Sequence, residues 1–414
     1  MIRIASRVPD PAVRRLTATL YGYAFLSDLV LLYPLYVVFF ADTGLSVGEI
    51  SSLFVIWSAA GILFEVPSGA WADVVSRRLL LCLAPLVTAA GYALWVLVPS
   101  YPAFAIGFLL WGAGGALVSG ALEALVWTEL DRLGAVGRYA RVLGRARTAG
   151  VLGVVLSGVL AGPVLAVGGY PAVAVASVLT CLLATAVAAR FPETVPPANP
   201  DDDGDLGWWD TLRAGVAQVR TRPPVRAAVL LVAVVAADWG ALDEYTPLLA
   251  LDTGVGARAV PLLLLLLWAG VTIGGLLAPA GERLGSRGYA ALLGLVAVAL
   301  AGGALIGHPS GFVLLAVAFG AAQLATVLAD VRLQARITGT SRATVTSLAG
   351  MATDLLIIGT YACYGIVATA AGNAVAFAVT AGPYLIVALV LLSSRRRPSA
   401  VPTDVTAAAA RGPN

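Results

Sequence analysis

Long apolar runs alternate with short segments rich in glycine, proline and charge along the whole chain. A run of about 20 apolar residues is the length of a helix that crosses a bilayer. The pattern predicts twelve such spans, near 17–40, 47–71, 78–98, 102–127, 142–166, 170–190, 226–250, 259–280, 288–306, 310–333, 344–368 and 374–393. The first run is too long for the apolar part of a cleaved leader and lacks a small-residue cleavage site, so it reads as a span. The one long connection, 192–225, carries Pro196, Pro197, Pro200 and the acidic run Asp201–Asp203. It reads as a linker between two halves. Within it Trp208, Trp209, Leu212, Val216 and Val219 fall near one helical face, the pattern of a helix lying on a membrane surface. The predicted organisation is a six-helix bundle over 1–191, a linker over 192–225, a second six-helix bundle over 226–397, and a disordered tail over 398–414.

Composition supports this reading. The 414 residues are 59% hydrophobic and 12% charged, about half the charged share of an ordinary soluble domain. A water-soluble enzyme, a disordered chain and a nucleic-acid binder are all disfavoured, and a lipid bilayer is the expected surrounding. Cys82, Cys181 and Cys363 all fall inside apolar runs, so they give neither a disulfide framework nor metal-ligand spacing. His308 stands alone in a short loop beside Pro309. Every basic residue is arginine, and all but Arg258 fall on one side if the loops alternate across the membrane. The positive-inside rule then places both termini in the cytoplasm of a cell with the protein in its plasma (inner) membrane.

The halves also repeat. Asp42-Thr43-Gly44, Trp57 and Pro67-x-Gly69 recur as Asp252-Thr253-Gly254, Trp268 and Pro279-x-Gly281, with spacings that agree within one residue. Three matches in order suggest a parallel six-span repeat, a plan known among secondary transporters.

The candidate chemistry is acidic. An ionisable side chain inside a span costs at least ~2.5–3.5 kcal/mol, so it survives by facing the bundle interior or a water-filled cavity. Asp28, Asp238 and Asp354 lie near mid-membrane, with Asp243 and Glu244 in the outer half of the seventh span. No arginine lies near the middle of any span. Acids without deep basic partners can exchange protons or attract a cationic substrate. Tyr21 and Phe25 share a helical face with Asp28, and Trp239 and Tyr245 accompany the acids of the seventh span. Aromatic faces beside an acid suit an amphipathic organic cation. Gln323 is the one amide well inside a span. Nearer the arginine-rich side, Glu65, Glu123 and Asp330 read as structural, with Arg145 and Arg147 placed to pair with Glu65 or Glu123. The third, sixth, ninth and twelfth spans hold no ionisable residue well inside, which assigns them to the lipid-facing outside.

The loop Gly69-Ala70-Trp71-Ala72-Asp73-Val74-Val75-Ser76-Arg77-Arg78 resembles the signature loop of the major facilitator superfamily. Gly69, Asp73, Arg77 and Arg78 match that pattern, while Val74 and Ser76 replace its usual basic residue and glycine. The resemblance implies an all-α membrane protein of twelve transmembrane helices in two pseudo-symmetric six-helix bundles. It also implies that Asp73, bordered by Arg77 and Arg78, acts as a conformational latch where the halves meet. The stretch Gly158-x3-Gly162-Pro163-x4-Gly168-Gly169 looks like the antiporter motif of drug exporters, with its final spacing two residues too long. The arginine that many such exporters carry early in the fourth span is missing from 102–122, which places weight on Asp28.

These readings converge on a secondary active transporter working by alternating access. The expected activity is proton-coupled efflux of a small amphipathic or cationic compound, such as a drug or secondary metabolite. An importer or facilitator of a small nutrient, such as a sugar or metabolite, is the alternative. No His pair, metal spacing or nucleophile motif marks an enzyme, and neither a cofactor nor a metal is expected. The expected partners are a small-molecule substrate and protons, without nucleic acid, and the chain is expected to be a monomer.

Overall fold

The computed structural model describes residues 11–119, 121–192, 213, 216–217, 219–337 and 342–393, apart from the side chains of 65–74 and 342–343. Every regular element among them is helical. The first half comprises α1 (Pro11–Asp28), α2 (Tyr36–Asp42), α3 (Val47–Val74), α4 (Arg77–Leu97), α5 (Tyr101–Val118), α6 (Ala121–Arg132) and α7 (Tyr139–Ala188). The second comprises α8 (Pro223–Asp243), α9 (Thr246–Asp252), α10 (Val260–Leu276), α11 (Ala278–Gly281), α12 (Ser286–Leu305), α13 (Gly311–Gln334), α14 (Arg342–Ala371), α15 (Asn373–Thr380) and α16 (Gly382–Ser393). Trp208, Trp209, the acidic run 201–203 and the tail 398–414 lie outside the described residues.

Among the described residues nine helical stretches are long and apolar enough to cross a membrane, and Val260–Leu276 is a shorter apolar helix. The outward surface is aliphatic: Leu183, Val298, Ile386 and Leu389 all stand exposed. Such a surface suits hydrocarbon better than water. The chain folds as a multi-pass membrane protein.

Several expected spans divide between two helices, and two of these breaks carry acids. The run 17–40 divides into α1 and α2 around Leu29–Leu35, where Pro34 cannot donate to a helical ladder. The backbone groups freed there find side chains: Ser157 donates to the Val30 carbonyl at 2.6 Å, and the Leu32 amide donates to Ser177 at 2.9 Å. Both serines come from α7, one from each arm. A break at membrane depth is tolerated when buried groups satisfy it in this way. The run 226–250 breaks likewise, between Asp243 and Thr246, with Pro247 in the first turn of α9. The two arms of α7 meet at Gly169, whose φ of +65° is a conformation that favours glycine.

The internal repeat is visible in the backbone. Gly44 and Gly254 end α2 and α9 with φ of +92° and +87°. Thr43 and Thr253 each donate back to the carbonyl three residues earlier, at 2.7 Å. Asp42 accepts from the Tyr170 hydroxyl, and Asp252 accepts from the Asn373 side chain at 2.8 Å.

Helices of each half pack mainly on one another: α1 on α7, α3 and α7 on their neighbours α5 and α4, and α10 and α12 on α13. The halves meet through α3 with α14, α7 with α10, and α2 with α9. Small residues set several of these approaches. A Cβ at Gly91 would lie 2.9 Å from the Gly107 carbonyl, and one at Gly158 would lie 2.8 Å from Leu265 of the other half. The Gly158-x3-Gly162 stretch is therefore part of the surface where the halves touch, with Gly162 against the Arg258 carbonyl.

Candidate functional site

Three adjoining cavities lie at and beside the junction of the halves. The first, of about 470 Å³, is enclosed mostly by the first half. Asp28 and Ser27 enter it from the end of α1, Tyr33 from the break, Thr88 and Tyr92 from α4, and Trp111 from α5. The second, also about 470 Å³, lies between the halves. Trp57, Ser58 and Ser119 line it from one side, and Glu244, Asp354 and Tyr361 from the other. Trp111 and Gly115 line both. A small third cavity, about 20 Å³, joins Asp28 and Tyr33 to Trp268 of α10.

Asp28 is open to its cavity because α1 ends there. Its carboxylate rests against Gly150 of α7, where any Cβ would collide with it. Trp111 sits in a nest of rings: it stacks on Trp57 with centroids 4.9 Å apart and meets Tyr33 edge-on at 6.1 Å. The Phe108 ring lies nearly parallel to Trp111 at 6.0 Å. No basic side chain lines the three cavities among the described residues. Their chemistry is acid plus aromatic face, which attracts cations.

At the end away from the arginine-rich loops the halves are joined. The Tyr36 hydroxyl donates to the Glu244 carboxylate, and the Tyr245 hydroxyl donates to Ser51 at 2.8 Å. Tyr245 also stacks on Tyr364 with centroids 3.6 Å apart and meets Phe54 edge-on at 5.3 Å.

The expected site residues separate into groups. Asp28, Glu244 and Asp354 come together around the cavities. Asp238 does not: it is buried, accepting from Thr360 at 3.1 Å with one carboxylate oxygen, while the other has no hydrogen-bond partner. Asp243 ends α8 beside Glu244 and lines none of the cavities. Tyr21 and Phe25 line none either. The helix they share with Asp28 stops at that residue, and the rings that reach the cavity are Tyr23, one turn earlier, and Tyr33, after the break. Trp239 turns into the second half, donating its indole N–H to Thr326 at 3.1 Å and packing on Phe319. Tyr245 is a junction residue between the halves. Gln323 on α13 is half-buried and outside the cavity walls.

The ion pair expected of Arg145 or Arg147 with Glu123 is not formed among the described residues. Glu123, Arg145, Arg147 and Asp330 are all exposed, and no pair joins them among the described residues. Glu123 on α6 and the two arginines on α7 stand at the surface, so matching depth alone does not pair them. An ion pair exists one turn further on, where Arg132 reaches the buried Glu129 at 2.9 Å. The latch is described in part. Arg77 donates to Thr128 at 3.1 Å, while its Nε is buried without a partner; Arg78 is half-buried. The side chains of Glu65, Gly69 and Asp73 lie outside the described residues. The third span is corrected too. Its helix α4 supplies Ala84, Pro85, Thr88 and Tyr92 to the first cavity, so an uncharged span is not only a lipid-facing one.

Sequence reasoning missed Trp111, Tyr33, Tyr92 and Tyr361, and took Trp57 and Trp268 only as markers of the repeat. They come from six helices or breaks, so no local spacing links them.

A multi-pass helical chain whose halves enclose a polar cavity has the form of a solute transporter. The family model described as Major Facilitator Superfamily matches residues 18–287, well over half of the 414 residues, and the chain belongs to that family. No curated protein sequence matches it. Among solved structures it is similar to the nucleoside transporter NupG, with a TM-score of 0.74 at 13% identity, covering 94% of this chain and 100% of that one. It is also similar to a bacterial homologue of the human lysosomal transporter Spinster in an inward-facing, unoccupied conformation, with a TM-score of 0.67 at 15% identity, covering 94% and 98%. A D-xylose–proton symporter matches with a TM-score of 0.65 at 17% identity, covering 92% and 97%. At these identities the likeness is one of fold. Family and fold make this chain a membrane transporter rather than an enzyme.

Proposed function

We propose that the protein is a proton-coupled exporter of a small amphipathic organic cation, working by alternating access across the plasma membrane. The observation that carries this reading is the lining of the two large cavities: three carboxylates, Asp28, Glu244 and Asp354, among aromatic rings, with no basic side chain among the described residues. A buried carboxylate can neutralise its charge with a proton or with an organic cation, but not with both at once. Proton and substrate then compete for the same groups, and each crossing of one requires release of the other. That is exchange. With protons more concentrated outside, it drives the cation out.

Twelve crossings fit the helices. Beyond the nine long stretches, the second arm of the bent α7, the broken α1–α2 pair and the short Val260–Leu276 each supply one more. An even number puts both termini on the same side, and the arginine bias makes that side the cytoplasm. Contacts between the halves then close the outer end, and the state described is the one open to the cytoplasm.

Uptake of a fluorescent lipophilic cation into inside-out vesicles tests the proposal. With the vesicle interior acid, the native protein is expected to accumulate the dye, and Asp28→Asn to lose most of that accumulation. Dye movement that ignores the pH gradient, in vesicles that hold folded protein, contradicts it. Nucleoside and D-xylose transporters among the similar folds keep a neutral-solute importer as the alternative. That alternative is favoured if a labelled sugar or nucleoside, not the dye, accumulates.

A further inference from the structure

The two large cavities adjoin, and each has its own acidic side chains and its own aromatic wall. Asp28 lies in one with Tyr33 and Tyr92; Glu244 and Asp354 lie in the other with Trp57 and Tyr361. Their common wall is Trp111 and Gly115. Trp111 is held from both sides, edge-on by Tyr33 and stacked by Trp57, so the partition is packed in place rather than a loose flap. Gly115 leaves a gap beside it, since a Cβ there would meet nothing within 4 Å. One chamber belongs mainly to the first half of the chain; the other spans the junction.

From this arrangement we propose that the site is bipartite, and that its preferred substrate is an organic dication whose two positive groups occupy the two chambers, joined by a slim apolar spacer passing Trp111 at Gly115. The inference rests on the cation reading above and narrows it to a substrate class. A single cation satisfies the acid of one chamber and leaves the other's charge uncompensated. A dication meets both, and once the first group is seated the second is held at high local concentration, which strengthens binding without any new contact type.

The test uses the full-length protein in lipid nanodiscs and a series of straight-chain alkanes carrying a trimethylammonium group at both ends. Each is compared with the alkane of the same length carrying one such group. Dissociation constants are measured by calorimetry for native protein, Asp28→Asn, Glu244→Gln and Gly115→Leu. The amide of Glu244→Gln still accepts from Tyr36, so that junction is kept. One spacer length is expected to bind at least tenfold tighter than its singly charged counterpart. Asp28→Asn and Glu244→Gln are each expected to erase that advantage, and Gly115→Leu to reduce it. If singly charged ligands bind and no spacer length gives an advantage, or the advantage survives both acid changes, the bipartite site is wrong and the cation reading stands. If neither kind of ligand binds to folded protein, both readings fall.

Discussion

Asp28 and Asp238 occupy equivalent places in the two halves. Asp28 stands fourteen residues before Asp42, and Asp238 fourteen before Asp252, the two aspartates that end α2 and α9. The residues that Asp28 and Asp238 meet on the long helices beside them differ. In the first half, Gly150 lies against the Asp28 carboxylate and offers it no hydrogen bond. In the second, Thr360 donates to Asp238 and holds it in the wall. The helix break has shifted as well. It falls directly after Asp28, but five residues beyond Asp238, after Asp243. An acid at a break can turn into the cavity; an acid one turn inside a continuous helix packs against its neighbours. Placement in the cavity wall therefore follows the break, not the sequence position: Glu244, with Asp354 of α14, lines a cavity from the second half, and Asp238 does not.

The largest effect that sharpens this comparison is expected from charge removal. Asp28→Asn should lower gradient-driven cation transport at least tenfold, whereas Asp238→Asn should change cation affinity less than about twofold; a direct binding assay on both variants decides the point. Equal losses would mean that the two acids share one role.

Thr360→Val should cost about 1–3 kcal/mol of stability, because it leaves both oxygens of a buried carboxylate without a hydrogen-bond donor. The expected readout is a lower melting temperature with cation affinity unchanged. Gly150→Ala comes next. Its methyl group must displace the Asp28 side chain, whose far end is flexible enough to move. The fold should survive, with cation affinity reduced about threefold, or ~0.65 kcal/mol, measured by titration.

The smallest effect concerns the outer end of α3. Ser46 and Glu49 form a reciprocal cap: the Ser46 amide donates to the Glu49 carboxylate at 2.9 Å, and the Glu49 amide donates to Ser46 at 3.3 Å. Ser46→Ala removes one arm of that cap. Both residues stand at the wet surface, where water can replace the lost partner, so the loss should be about 0.5 kcal/mol, the low end for a helix cap. A slightly lower melting temperature with cation affinity unchanged is the expected readout.

The fold was largely legible because apolar run length is a physical requirement of the bilayer: the predicted runs overlap helix, although nine described stretches are long enough to cross and several runs divide in two. The breaks were less so, although Pro34 and Pro247 mark them. Asp28 was legible as a deep acid with no basic partner. Its aromatic companions were not: Tyr21 and Phe25 were chosen by a helical register that ends at Asp28, while Tyr33, Tyr92 and Trp111 converge from separate elements. The expected pairing of Arg145 or Arg147 with Glu123 failed for a related reason. Depth along a helix can be counted from sequence, but which charges meet across helices cannot.

The central claim is that proton and organic cation exchange at the same carboxylates. It is tested most directly by adding tetraphenylphosphonium to the purified protein in weakly buffered solution and following pH with an indicator dye. The account predicts that protons are released in step with cation bound, and that release and binding saturate together. Cation binding with no proton release at any pH between 5 and 8 would contradict it.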